Sequence, residues 1–489
     1  MQIPFGEWLP DQPEYLNPGA NTANNVYYAA NSYKRFPSLV SYSSNNISSN
    51  SRGAGSFRDN SNNVFNFVAN NTDIFQLDGG TFTSRKSSLT GNNTDYFTFT
   101  QFGQFVVASN GKDAPQYYQM GTSTNFANLS TIGSSGTVPV FKVSGVVRDF
   151  FVTGNHTNNS NRIQWSGIND LTTWEAGTKQ SDLQDLPGSG GQIVHITSGE
   201  IGYVFRQNQI IRMDYVGGAT VFRLSVISPN RGAVLGRTVC QDNRRVFFYA
   251  DDGFYELNGD QVISIGAEKV NRFFDTDLNK AFSDRICAAV DPFNQLALWL
   301  YPSASNTANT TGICDKVIIY NYATQKWSTA DASASTIFSQ FVGAYTVELM
   351  DIISENLDAI NIALDTDFWN GGQLYLGAID SDFKAAIFSG TENEGTIETR
   401  ELELFPGHRS SITNIRPIVD ATSTVTIKSR ERLADTATES SSSTMVSSGD
   451  NPVRQSGRYF KIKVTTPSGS VWTHAQGVDL IASRIGLRW

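Results

Sequence analysis

The sequence predicts an all-β protein, a β-propeller-like body of six or seven blades with an irregular N-terminal arm and a small C-terminal β domain. Three observations predict it. Asn, Ser, Thr and Gly crowd the 489 residues while long Ala/Leu/Glu/Lys runs are absent, which favours turns and strands over helix interiors. Apolar stretches alternate with period 2 and are joined by Gly/Asn/Asp turns that tolerate positive φ, the pattern of hairpins with one buried face. These hairpins recur roughly every 40–55 residues, about the length of one four-stranded blade.

The elements follow in chain order. Residues 1–60 form the arm: Pro4, Pro10, Pro13, Pro18 and Pro37 break any long element, and Phe5, Trp8, Tyr15, Tyr27, Tyr28, Tyr33 and Phe36 are interleaved with them. Such a segment does not fold alone and is expected to lie against a larger body or a neighbouring subunit. Residues 61–390 form the body, with hairpins at 64–82, 102–120, 148–167, 201–218, 244–265 and 296–327, and a further copy at 360–381. Hairpins of this kind cannot bury their faces singly; packing them radially around an axis does so and leaves only short edges. A chain of β-sandwiches is the alternative, since spacing alone does not separate the two. AEKVNRFFDTDLNKAF (267–282) carries Val270, Phe273, Phe274, Leu278 and Phe282 at near-helical spacing and reads as a connector helix. Residues 391–489 form the C-terminal β domain, with strands at 396–405, 411–420, 423–429 and 458–466 around a low-complexity loop at 435–457.

Composition narrows the function classes. Three widely spaced cysteines, Cys240, Cys287 and Cys314, imply buried thiols and no disulfide framework. The start lacks the basic and apolar regions of a secretory signal, and no run of about 18 apolar residues supplies a spanning helix, so assembly in a cytoplasm is expected. Net charge is −9, unevenly spread: residues 400–489 carry 12 basic and 8 acidic groups, residues 1–399 carry 25 and 38. An acidic body argues against tight phosphate binding and suits a surface that DNA slides past; it equally suits an ordinary soluble protein.

Catalytic, cofactor and metal sites are not expected. His156, His195, His408 and His474 lie far apart without zinc-binding spacing. GSGG (188–191) lacks the Lys-Ser/Thr of a phosphate loop. Asp275, Asp277 and Asn279 match the opening of a calcium loop, but Lys280 stands at the turn glycine and Ile286 at the bidentate Glu. SGINDLTTW (166–174) loosely resembles the S-x-D-x-G-x-x-W turn of sialidase-like propellers, a structural motif even in enzymes, with altered spacing and no glycine. The chain is therefore expected not to be an enzyme.

The opening PFGEWLPDQPEYLNPGANTANNVYYAANSYKRFPSLVSYS is more specific. It resembles the start of the tail nozzle, or packaged-DNA stabilisation, proteins of short-tailed bacteriophages, through Trp8, Pro10, Asp11, Asn17, Pro18, Gly19, Asn25, Val26, Tyr33, Phe36, Pro37, Ser38 and Leu39. IQWSGINDLTTWEAG (163–177), RGAVLGRTVCQDNRRVFFYADDGFYELNG (231–259) and GRYFKIKVTTPSGSVWTHAQGVDLIASRIGLRW (457–489) are similar to that family as well, so about a third of the chain is touched. The resemblance implies a virion tail protein that forms a homohexamer below the head-to-tail adaptor, near tail fibres or a needle, and conducts double-stranded DNA during ejection without binding it specifically. On that reading Trp8, Tyr15, Tyr33 and Phe36 are expected as assembly contacts, and removal of residues 1–40 is expected to block incorporation while leaving the rest of the fold intact. A glycan-binding or glycan-cleaving propeller and a peripheral adhesin or fibre-attachment module are the alternatives.

Overall fold

The computed structural model describes residues 1–15, 17–218, 220–342, 362, 369 and 371–485. Among the described residues the body is a seven-bladed β-propeller. Five blades are four-stranded antiparallel meanders that begin at Gly53–Arg58, Thr98–Phe102, Phe141–Val147, Ile193–Ile196 and Cys240–Asp242. Blades 6 and 7 share the 16-residue strand Lys326–Phe341: its first half closes the blade that begins at Cys287–Asp291, and its second half opens the last blade. That last blade continues through Leu374–Asp380 and Ala385–Gly390, and its outer strand, Ser38–Ser41, comes from the N-terminal segment. Much of the hairpin expected at 360–381 lies outside the described residues.

The blades close into a ring because each leaves two apolar faces that only its neighbours can cover. Seven buried apolar clusters are found among the described residues, one between each pair of successive blades. The innermost strands run parallel around the axis. Thr98 Oγ1 donates to the Lys142 carbonyl at 3.0 Å while Thr100 and Ser144 hydroxyls meet at 2.9 Å. The ring closes between blades 7 and 1, where Ser51 N donates to Ser335 Oγ at 3.2 Å and Phe341 N to Ser56 Oγ at 2.8 Å. This closure rules out the chain of separate sandwiches.

Residues 395–484 form a β-sandwich. One sheet is built on Ser410–Val419 and Ala475–Arg484, the other on Gly395–Thr399, Tyr459–Thr466 and Thr424–Arg430. Ile412, Ile415, Val478 and Leu480 meet Ile397, Val425, Ile427, Phe460 and Val464 between them. The 435–457 stretch, expected as a loop, is partly paired: Thr438–Glu439 and Ser443–Thr444 add to Thr424–Arg430, and Asn451–Gly457 pairs with Ser410–Val419. Its serines side with the sheets because an edge strand still offers unpaired backbone groups.

The expected irregular arm is corrected. Residues 2–41 contain five strands: Gln2–Pro4, Val26–Ala29 and Ser32–Arg35 extend one sandwich sheet, Ala20–Asn24 the other, and Ser38–Ser41 closes blade 7. The prolines sit mostly between these short strands, where a missing N–H costs no ladder bond. Removing residues 1–40 would therefore strip both domains, and the expectation of an intact remainder does not stand. The expected connector helix is shorter than its apolar spacing suggested, Asn271–Asp277 followed by a 3₁₀ turn at Lys280–Arg285. Among the described residues no helix is long and apolar enough to cross a membrane.

Candidate functional site at the propeller axis

Because the innermost strands are parallel, every residue at the start of one faces the same mouth of the axis. Arg52 directly precedes Gly53–Arg58, Lys142 is second in Phe141–Val147, Arg237 lies just before Cys240–Asp242, and Arg285 just before Cys287–Asp291. Four blades thus deliver cations to this leading mouth. At the trailing mouth, where those strands end, stand Asp59, Asp149, Glu200, Asp242 and Asp291 beside Arg58 and Arg148. The axis is basic at one end and acidic at the other.

A cavity of about 350 Å³ lies on the axis, lined by Gly53, Ser56, Phe99, Arg237, Ala288 and Thr336 among others. Innermost strands of five blades line it, and crowding there favours small side chains; a Cβ on Gly53 would sit 2.4 Å from the Phe97 carbonyl oxygen. Arg237 reaches across blade boundaries to donate to Thr336 Oγ1 at 2.9 Å, and Thr336 Oγ1 in turn donates to the Ser51 carbonyl at 3.3 Å. Arg52, 3% exposed, is held by neutral amides: Nε donates to Asn71 Oδ1 at 2.8 Å and Nη2 to Asn93 Oδ1 at 3.2 Å. Lys142 Nζ lies 4.5 Å from the centre of the Tyr96 ring.

The electrostatics of this mouth are unbalanced. Among the described residues Arg52, Lys142 and Arg237 form no ion pair, whereas Asp95 is taken by Lys112 at 2.6 Å and Asp284 by Arg285 at 3.2 Å. Burial, then the like charges of Arg285 and Arg237, lowers the proton affinity of Arg52; burial, then a like charge, also lowers Lys142 (beside Lys112) and Arg285 (beside Arg237). Burial pushes the Tyr96 phenol up to about 12. Arg285 makes its ion pair with Asp284 through its buried Nε.

None of these four cations belongs to a motif in the sequence. Their signal was present as a basic residue at each blade start, in SRGAG (51–55), FKVSG (141–145), GRTVC (236–240) and DRICA (284–288). The residues expected as assembly contacts are placed differently. Trp8, Tyr33 and Phe36 are buried inside the subunit, at 3%, 0% and 2% exposure, so no neighbour can use them. Trp8 packs edge-on against Phe273 at 5.0 Å, the Tyr33 hydroxyl donates to the Gly6 carbonyl at 2.8 Å, and Phe36 packs on Phe388 at 5.3 Å. Tyr15 is half-buried against Tyr459 at 5.4 Å, its hydroxyl donating to Glu403 at 3.3 Å.

The other motifs are spent on structure. Asp170 accepts from Thr172 and Thr173, and Trp174 is buried between blades 2 and 3, as in the turn that SGINDLTTW resembles. Asp277 accepts from Tyr301 and Lys316, so the calcium-like triplet is engaged internally. All three cysteines are buried and reduced. His156 is pushed down to about 4 by burial, with Arg162 adding repulsion, and stays neutral against Thr153 Oγ1. Among the described residues the carboxyl groups that leave their ordinary range all move downward, held ionised by hydrogen bonds and cations. A proton donor would need the opposite shift. A cleft of about 500 Å³ between blades 4 and 5 brings Glu200, Tyr203 and Asp260 together, but Asp260 is paired with Arg212 at 2.6 Å.

No protein-family model matches the chain, and no curated protein matches it. Among solved structures it is similar to the WD40 repeats of RRP9, at 8% identity and TM-score 0.40, covering 63% of this chain and 89% of that one. It is similar to BamB from Moraxella catarrhalis at 12% identity and TM-score 0.37, covering 79% and 98%. The extracellular domain of a hybrid two-component system from B. thetaiotaomicron matches at 11% identity and TM-score 0.39, covering 81% of this chain and 43% of that one. Likenesses this slight carry no argument about function, and the blade count rests on this chain's own sheets.

Proposed function

We propose that the chain is a structural subunit of a short-tailed phage tail, a nozzle protein that assembles as a ring below the head-to-tail adaptor and conducts DNA during ejection. One observation supports it beyond the resemblance itself: the residues that carry the resemblance are stitches between the two domains. Asn25, at φ 58°, donates to Asp331 at 2.9 Å in the propeller strand and to the Glu394 carbonyl at 2.9 Å in the sandwich linker. Asn17 turns the chain onto Gly19, whose Cα hydrogens leave room for the Glu7 carbonyl where a Cβ would sit 1.9 Å away. A protein that must hold pressurised DNA gains from such welding. A six-fold ring uses two different faces of each subunit; since Trp8, Tyr33 and Phe36 are internal, those faces belong to other residues.

Cryo-electron microscopy of the particle that carries this protein tests the reading. Six copies around the tail axis, below the adaptor, are expected. A position off the axis, or absence from the particle, would overturn the nozzle and favour a peripheral attachment module.

A further inference from the structure

We propose that the cleft between blades 4 and 5 is a binding site for a short, neutral saccharide, held by Tyr203, Arg244, Glu200 and Asp260. The cleft, about 500 Å³, lies where the turn at 197–201 of blade 4 faces the turns at 243–244 and 259–260 of blade 5. The register of blade 4 sets Tyr203 opposite Arg212, so both stand on the same face of that sheet. Arg212 crosses the blade boundary to Asp260 at 2.6 Å and is steadied by Asp214, to which its Nε donates at 2.9 Å. Gln241 is fixed as well, its amide nitrogen donating to the Ser198 carbonyl at 2.9 Å and the Asn243 carbonyl at 2.7 Å. The walls are thus built without a ligand. The Tyr203 hydroxyl points to one. Tyr203 is 8% exposed and lines the cleft, and its hydroxyl has no hydrogen-bond partner among the described residues. Asp260, Arg212 and Arg244 are close enough to act on its ionisation. Arg244 and Glu200, both exposed, have side chains with no ion pair or hydrogen bond among the described residues.

The balance of charge selects the ligand. Two cations, Arg212 and Arg244, and two anions, Glu200 and Asp260, line the cleft, so an ion of either sign meets repulsion as well as attraction. What the lining offers instead is donors and acceptors side by side. Each hydroxyl of a sugar both donates and accepts, so neighbouring hydroxyls satisfy a guanidinium and a carboxylate together. The volume falls within the range of small-molecule sites, about 300–1,000 Å³. Ile201, also in the lining and 37% exposed, adds an apolar surface for the C–H face of a sugar ring. The site does not depend on the nozzle reading.

A microarray of neutral glycans, with sialylated and phosphorylated glycans printed beside them, tests the site when probed with the full chain. Binding to neutral glycans is expected, no weaker than to the charged ones, and the best neutral binder is then titrated by calorimetry. Tyr203→Phe removes only a hydroxyl that touches nothing else in the described protein. It is expected to leave the melting temperature unchanged while weakening affinity about two- to tenfold, the worth of one hydrogen bond. Arg244→Ala, at an exposed side chain without a partner, is expected to do likewise and gives an independent reading should Tyr203→Phe disturb the packing. Absence of binding to every neutral glycan, preference for the charged ones, or unchanged affinity in either folded variant would overturn the site.

Discussion

Asp11 caps a helix that begins at Asn271, 260 residues further along the chain. Its carboxylate accepts from Arg272 N at 2.8 Å and Phe273 N at 2.7 Å, two N–H groups that the helix cannot satisfy itself. Val270, at the cap position, has no side-chain oxygen to offer, so the N-terminal segment supplies one. Replacement of a capping Asp by Ala costs about 1 kcal/mol, and Asn retains most of the bond. Asp11→Ala is therefore expected to lower the urea midpoint of the full chain while Asp11→Asn lowers it less. Equal midpoints for Asp11→Ala and the unaltered protein would show that the cap contributes nothing. This is also the scale at which the sequence misled. Trp8, Tyr33 and Phe36, aromatic among prolines, look like side chains awaiting a partner; the partner is the same chain, and nothing local in the sequence reveals a contact made hundreds of residues away. The axial arginines escaped for the same reason, since their convergence depends on blade order and not on spacing.

Among elements, legibility follows burial. The middle strands of each blade are covered on both faces, as in Arg245–Ala250 and Gly253–Asn258, and these apolar pairs are the hairpins the sequence predicts. Some innermost and outermost strands stay half-wet: Gly53–Arg58 is mostly half-buried, Asp182–Asp185 and Gln261–Ser264 largely exposed, so their composition does not distinguish them from turns. The strand Ser38–Ser41 was hidden further by its position far from its blade in sequence. It pairs with Ala385–Gly390, Leu39 opposite Phe388, and completes the seventh blade. Without it that blade would present an unpaired edge and the Phe36, Ile387 and Phe388 region would open to water. A chain lacking residues 1–41 is thus expected to lose its cooperative thermal transition and to aggregate. A truncated protein with a sharp transition at the midpoint of the full chain would refute the closure argument.

At the scale of the whole molecule, two domains behave as one body because a single apolar cluster runs through both. It contains Phe254, Trp299 and Trp327 of the propeller, Trp8 and Tyr28 of the N-terminal segment, and Ile427 and Phe460 of the sandwich. Polar contacts cross the same boundary: Asn321 Nδ2 donates to the Tyr28 carbonyl at 3.0 Å, Lys326 Nζ stands 3.6 Å from the Tyr28 ring centre, and Thr329 Oγ1 donates to the Ala23 carbonyl at 3.0 Å. Chains of this length usually unfold domain by domain, each transition reporting its own core. Here the sandwich cannot lose its N-terminal strands without uncovering Trp327, and the propeller cannot open blade 6 without releasing Ala20–Asn24. Scanning calorimetry is therefore expected to give one endotherm whose calorimetric and van't Hoff enthalpies agree. Trp327→Ala, which empties the middle of the cluster and removes the Nε1 bond to the Ile265 carbonyl, should lower that single transition by about 3–5 kcal/mol without splitting it. Two separate endotherms in the unaltered protein would mean that the shared cluster does not couple the domains, and that the N-terminal segment ties together two bodies that fold independently.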